Sequence, residues 1–172
     1  MSIRERITSY LNETMVLQIA TSAKNIPWVC TVCFAYDAEL TLYWFSRHSA
    51  RHSQEIITNP NVAGAISMPY AFGDKPRGLQ CIGRAEELHE EKAIEKGLAV
   101  LGKRYEVSEK RTKQLRKELL SQSADYGLYR LKPDTIILYD TKTFPGNPRK
   151  VFDVASGKVQ EETDEEHPPM RQ

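Results

Sequence analysis

The chain has 172 residues and nearly balanced charge, with 24 Lys and Arg against 23 Asp and Glu. A chain of this length with 40% apolar residues can bury a core, which excludes a disordered or fibrous protein. The charge balance argues against a dedicated nucleic-acid binder, and no apolar run is long enough for a membrane span. Three cysteines and a charged N-terminus without an apolar signal segment predict a cytoplasmic protein with free thiols.

The periodicity of apolar residues predicts many short strands and few helices. Ser2, followed by Glu5 three residues later, forms the capping box that begins the first helix. Ser49 is the candidate N-cap of the second helix, which Pro60 ends. Alternation and β-branched residues indicate the strands, with an interruption near Pro133 in the last long strand. In chain order the predicted elements are a helix at 2–12, strands at 15–21, 28–36 and 40–46, a helix at 49–58, strands at 62–68 and 78–88, helices at 90–101 and 108–120, a strand at 126–139 and a short strand at 151–152.

The order of these elements favours an antiparallel fold. Strands that are consecutive or joined by short helices are typical of an antiparallel barrel or sandwich and not of a parallel α/β sheet. No glycine-rich phosphate loop follows a strand, so the sequence contains no Rossmann or P-loop signal. We expect one folded domain over residues 1–155, and the polar, acidic segment 156–172 predicts a disordered tail.

Two pairs of residues have the spacing of reactive or metal-binding motifs. Cys30 and Cys33 form a C-x-x-C pair, but residues three apart on a strand face opposite sides and lie about 10 Å apart, too far for a disulfide. We interpret both, with Cys81, as ordinary buried cysteines. His48 and His52 are four residues apart, yet only one carboxylate lies at ligand spacing, so the sequence predicts no metal site.

The segment that joins the predicted strand 40–46 to the following helix is unusually basic. Residues 46–53 read Ser-Arg-His-Ser-Ala-Arg-His-Ser, and Arg51 and its neighbours bring positive charge to a helix end that usually prefers Asp or Glu. A bound anion would resolve this conflict, because free backbone N–H groups, an Arg fork and hydroxyls form a phosphate site. The alternative is a solvated basic turn, and the residue types by themselves do not decide between the two.

The order of several short motifs resembles the pyridoxamine 5′-phosphate oxidase-like family of flavin-binding split barrels. The resemblance covers residues from about 10 to 150. It is carried by Leu-Tyr-Trp-Phe-Ser at 42–46, Ala-Arg-His at 50–52, Asn-Pro-Asn-Val-Ala at 59–63 and Arg-Gly-Leu-Gln-Cys-Ile-Gly at 77–83. It implies a mainly β, α+β fold: a six-stranded antiparallel split β-barrel, Greek-key-like, with peripheral helices.

The resemblance also implies a homodimer with an FMN site at the subunit interface. Phe45 and Ser46 would lie beside the flavin and its phosphate, and Arg51 would pair with the phosphate next to His52. The strand that begins at Trp28 would line the isoalloxazine ring. The further cofactor-binding candidates that the resemblance implies are Val29, Cys30, Thr31, Ser49, Arg77, Gln80, Arg149 and Lys150.

The sequence departs from the family pattern at several positions. Val29 and Phe34 stand where FMN-binding members carry an Arg and a Lys, and His52 stands where a Lys is usual. The C-terminal Arg-x-His-Asp stretch that reads the substrate of the true oxidases is absent, which argues against vitamin B6 oxidation. No residue stands out as a catalytic acid, base or nucleophile.

The leading hypothesis is an FMN-dependent oxidoreductase of unknown small-molecule substrate. The alternatives are a flavin- or haem-binding stress protein with little turnover, a reductase that binds the deazaflavin F420, and a barrel without cofactor.

Overall fold

The computed structural model describes residues 1–161. Its elements are α1 Ile3–Glu13, β1 Val16–Ala23, β2 Ile26–Cys33, β3 Ala35–Tyr36, β4 Leu42–Arg47, α2 Arg51–Thr58, β5 Asn61–Ser67, β6 Arg77–Glu87, α3 Glu91–Tyr105, α4 Glu109–Leu120, β7 Tyr126–Asp140, β8 Arg149–Asp153 and β9 Val159–Glu161. Every predicted helix and strand is present, with boundaries shifted by a few residues. Within the described part of the chain, no helix is long and apolar enough to cross a membrane.

The strands form one antiparallel sheet in the order β2-β1-β5-β6-β7-β4-β3, with β8 on β7 and β9 on β8. This architecture confirms the mainly β split-barrel expectation, but residues 1–161 form nine strands, where the resemblance implied six and the local patterns predicted seven. One reason is that the predicted strand 28–36 is divided into two strands, β2, which pairs with β1, and β3, which pairs with β4. The other is the end of the chain, where β8 covers the short strand predicted at 151–152 and β9 adds a further strand that pairs with it. Strand β9 lies inside the segment predicted as a tail, so ordered structure extends past residue 155, and the rest of that segment, 162–172, lies outside the described residues.

The core has two parts, which the alternation along β4 separates. Trp44 faces the main cluster inside the curved sheet, together with Ile7 and Leu11 of α1. Tyr43 faces the second cluster, under α3, together with Leu98. Ser2 and Glu5 cap α1 reciprocally, as the sequence predicts.

Helix α2 begins one residue later than expected, so the prediction of Ser49 as its N-cap is wrong. Ala50 is the N-cap, and no side chain caps the helix. Ser49 lies in the preceding turn, where the Ala50 N–H donates to the Arg47 carbonyl, and its side chain is exposed. The buried face of α2 packs on β1, which places the helix beside the edge of the sheet.

The interruption predicted near Pro133 is a β-bulge inside a continuous strand. The register between β6 and β7 shifts between Ile82 and Gly83, where Gly83 faces Pro133. A Cβ atom on Gly83 would lie 2.1 Å from the Lys132 carbonyl oxygen, so the close approach of the two strands requires glycine here.

The three cysteines are free thiols in different environments. Cys81 is buried, as expected, and Cys30 is half-buried. Cys33 is exposed, so its prediction as a buried residue is wrong. The reason is that β2 is an edge strand, and it is exposed along most of its length.

Candidate functional site

The N-terminus of α2 brings Arg51 against the edge strand β2. The guanidinium carbon of Arg51 lies 4.6 Å from the ring centroid of Trp28, and its Nε donates to Glu55 Oε1 at 2.7 Å. The other Glu55 oxygen accepts from Thr21 Oγ1 of β1 at 2.5 Å. A ring and a carboxylate therefore fix the orientation of Arg51, while its Nη groups have no acceptor within residues 1–161.

The carboxylate of Glu55 is buried and stays ionised. Hydrogen bonds from Thr21 and then Arg51 lower its pKa below the ordinary 4.5. Because Glu55 is charged, it already compensates the charge of Arg51. The i,i+4 spacing of the two residues on α2 was the sequence signal that could have revealed this pair.

His52 does not provide a second positive charge beside Arg51. Its side chain is buried, and its Nε2 lies 2.7 Å from Ser46 Oγ. Burial lowers the pKa of His52 below 6.5, so the imidazole is uncharged near neutral pH. Ser46 is also buried, and its hydroxyl forms this hydrogen bond with His52.

Strand alternation divides the predicted ring-binding residues between two faces of β2. Trp28 and Cys30 share a face with their β1 partners Thr21 and Ile19. This face points to α2, because Thr21 donates to Glu55 of that helix. Burial, and then the charge of Glu55, raises the pKa of the Cys30 thiol to about 11, so this thiol keeps its proton. Val29 and Thr31 point to the opposite face.

This opposite face of the sheet, called the outer face here, carries small side chains and two glutamines. Ala65 lies between Gln18 of β1 and Gln80 of β6 in one row across the strands. Gln18 Oε1 is buried and has no hydrogen-bond partner among the residues described. The members of the outer face are Gln18, Ala20, Val29, Thr31, Ala63, Ala65, Gln80 and Ile82.

Two other predicted residues of this region, Phe45 and Ser49, have different surroundings. Phe45 points away from Ser46, packs in the second core cluster and meets Tyr126 edge-on with ring centroids 5.7 Å apart. Ser49 is exposed in the turn before α2.

Three predicted residues lie at the far end of the sheet. Arg77 pairs with Glu13 at 3.0 Å. Arg149 and Lys150 begin β8, and Lys150 is buried with its Nζ 5.2 Å from the ring centroid of Phe144. Along the strands this end lies four to six residues, about 13–20 Å, from the row of Thr21 on β1. One chain therefore does not bring these three residues to Arg51.

No protein-family model matches the sequence, and no curated protein matches it. Solved structures do match. HutZ, a haem storage protein from Vibrio cholerae, is 22% identical with a TM-score of 0.62, covering 80% of this chain and 95% of that chain. A FAD-binding protein from Mesorhizobium loti is 21% identical with a TM-score of 0.56, covering 79% and 92%. A Listeria innocua protein provisionally named pyridoxamine 5′-phosphate oxidase is 18% identical with a TM-score of 0.57, covering 80% and 98%.

This chain has the fold of the pyridoxamine 5′-phosphate oxidase-like split barrels. At these identities the similarity shows the fold alone. The names of the matching structures include both a flavin-binding and a haem protein.

The split barrel also holds a His–Glu pair that the sequence did not reveal. His48 Nε2 lies 2.8 Å from Glu87 Oε1, and the Tyr129 hydroxyl donates to the other Glu87 oxygen at 3.0 Å. His48 and His52 therefore have separate partners and do not face each other. Residues 1–161 contain no group of three or more side chains placed to hold a metal ion.

The residues of this split barrel fit a flavin phosphate at one point, Arg51. Its Nη groups lack protein acceptors in the described chain, and its orientation is already fixed by Trp28. The family pattern would add a second cation at position 52, where the buried, uncharged imidazole does not supply one.

Proposed function

We propose that this split barrel binds FMN at the interface of a homodimer and acts as an FMN-dependent oxidoreductase on a small molecule. The observation that carries the proposal is the edge strand β2, whose apolar side chains are exposed directly beside the oriented guanidinium of Arg51.

Exposure of β2 supports a homodimer. Within the described residues β2 pairs with β1 alone, and Ile26, Trp28 and Val29 are 58%, 41% and 61% exposed. An unpaired strand edge with apolar side chains on both faces is prone to associate with another chain. A second copy seated on β2 would bury this surface.

Arg51 supports a phosphate beside α2. Arginine binds phosphate through two parallel N–H donors, and its Nη groups are available for such a contact. Because Trp28 and Glu55 already hold the guanidinium, little side-chain entropy is lost when the anion binds.

The outer face supports a planar ring. Ala63 and Ala65 leave space above the sheet, and the amides of Gln18 and Gln80 flank this floor. An amide both donates and accepts, as the imide edge of a flavin does. Within the described residues β2 is an edge strand, so the α2 side and the outer face meet at its edge.

A bound flavin would supply the redox chemistry, and the chain would supply binding and orientation. In this scheme Arg51 holds the phosphate, and Gln18 and Gln80 orient the ring. Cys30 lines the α2 side as a protonated thiol, because a pKa of about 11 leaves almost no thiolate at neutral pH.

The absorption spectrum of the purified protein, before and after incubation with FMN and desalting, tests the proposal. We expect the protein to retain the bands of oxidised flavin and to undergo repeated cycles of reduction by NAD(P)H and reoxidation. Reduction by dithionite alone would limit the function to flavin binding. A retained Soret band would replace FMN with haem, and retention of F420 in preference to FMN would replace it with the deazaflavin.

A further inference from the structure

A groove of about 560 Å³ lies between α2 and the turn that joins β1 to β2. Arg51 and Glu55 line it from the helix, and Lys24 and Asn25 line it from the turn. Because Arg51 belongs both to this groove and to the proposed phosphate site, the groove is continuous with that site.

The charges that line this groove are unequal. Arg51 and Glu55 form an ion pair at 2.7 Å, so together they contribute no net charge. His52 is buried and uncharged. Lys24 has no hydrogen bond or ion pair within residues 1–161. The net positive charge of the groove therefore comes from Lys24.

The β1–β2 turn fixes the position from which Lys24 reaches the groove. Lys24 and Asn25 have φ angles of 52° and 62°, and they connect the paired residues Ala23 and Ile26. Two consecutive left-handed residues are the geometry of a tight two-residue hairpin turn. The ammonium group therefore starts from a rigid hairpin at the rim of the groove.

We propose that Lys24 supplies the second positive charge for the phosphate-bearing end of the ligand. In this arrangement the phosphate binds between the Nη groups of Arg51 and the ammonium of Lys24. The β1–β2 turn thus provides the positive charge that the family pattern places at position 52. This inference rests on the proposed function, because it assigns Lys24 to the phosphate of a flavin.

Titration of the full chain with FMN and with riboflavin, which lacks the phosphate, tests the role of Lys24. Lys24→Asn removes the charge and suits the left-handed backbone of the turn. We expect it to weaken FMN binding about tenfold, the size of one charge-assisted contact, and to leave riboflavin binding unchanged. It should also reduce the dependence of FMN affinity on salt. Lys24→Arg should restore FMN binding. Lys113→Ala, an exposed lysine on α4, is the matched control and should change neither affinity.

Equal FMN affinity in Lys24→Asn and wild type would overturn the inference while leaving the proposed function intact. A wild-type protein that retains no flavin would reject the proposed function instead. Inorganic phosphate then becomes the probe, with binding followed by NMR shifts of the amides in the β1–β2 turn and α2. Phosphate-induced shifts that Lys24→Asn weakens would uphold the groove as an anion site, and shifts that are absent or unaffected would overturn it.

Discussion

The guanidinium of Arg51 lies 4.6 Å from the ring centroid of Trp28, and this contact joins helix α2 to the edge strand of the sheet. The same guanidinium pairs with Glu55 one helical turn later. An arginine held in this way presents its remaining N–H groups in a fixed direction before a ligand arrives. This preorganisation is the physical basis for placing the anionic end of a cofactor here.

Removal of this guanidinium tests the proposed contact with the phosphate of FMN. We expect Arg51→Ala to weaken FMN binding by about 1.5–3 kcal/mol, the usual range for a hydrogen bond to a charged group. The measurement is a fluorescence titration with FMN. Arg47→Ala is the control, because Arg47 is exposed and pairs only loosely with Asp125 at 3.9 Å. Equal affinity in wild type and Arg51→Ala would remove Arg51 from the site.

A charge on the outer side of β2 tests the homodimer. We expect light scattering of the wild type to report twice the chain mass of 19.7 kDa at micromolar concentration. Val29→Glu places a carboxylate on the exposed edge strand and should yield the monomer mass, because burial of an unpaired charge is costly. Leu120→Glu, at an exposed apolar residue of α4, should remain a dimer. A wild-type monomer would contradict the interface model.

A methyl group at Gly83 tests the bulge between β6 and β7. Its Cβ would lie 2.1 Å from the Lys132 carbonyl oxygen and 2.7 Å from Pro133 Cα, both backbone atoms. We expect Gly83→Ala to lower the free energy of unfolding by about 2–4 kcal/mol, since overpacking here forces the strands apart. Gly146→Ala, where a Cβ meets nothing within 4 Å, should change it by less than about 0.5 kcal/mol. Urea denaturation compares the two, and equal stabilities would show that the bulge tolerates a side chain.

The buried imidazole of His52 predicts a loss of stability in mild acid. Because burial lowers its pKa in the folded state, the unfolded chain binds a proton more readily. The contribution of His52 to the free energy of unfolding is therefore full above its ordinary pKa of 6.5 and falls as the pH drops below that value. Urea denaturation at about pH 7.5 and about pH 5.5 measures this difference.

Two variants identify the group responsible. His52→Gln should show a smaller change between the two pH values than wild type. His89→Gln, at an exposed histidine, should behave as wild type. An unchanged pH dependence in His52→Gln would assign the effect to another group. Glu55 does not contribute in this window, because its pKa lies below 4.5.

Local patterns were sufficient to predict most elements. The capping box at Ser2 and Glu5 was confirmed, because it depends on residues close in sequence, and the interruption predicted near Pro133 is a β-bulge in a continuous strand. The number of strands was wrong because Phe34 separates two short strands that pair with different partners. Pairing between distant strands leaves little trace in the local pattern.

The candidate site shows the same division. The basic segment at 46–53 identified Arg51 from its place near the start of a helix. The structure shows that the charge of Arg51 at this helix end is already compensated by the carboxylate of Glu55. Cys33 was assigned to the interior because a strand pattern does not reveal whether the strand is at the edge of a sheet.

The sequence by itself determined the fold class, the order of the elements and the basic turn before α2, because hydrophobic periodicity and capping act over a few residues. Only the tertiary structure decided that His52 is buried against Ser46, that Phe45 faces the second core, and that Lys24 reaches the groove beside Arg51. The charge and exposure of a side chain depend on the desolvation and partners that packing brings from distant parts of the chain. For that reason the chemistry of this site follows from the folded structure.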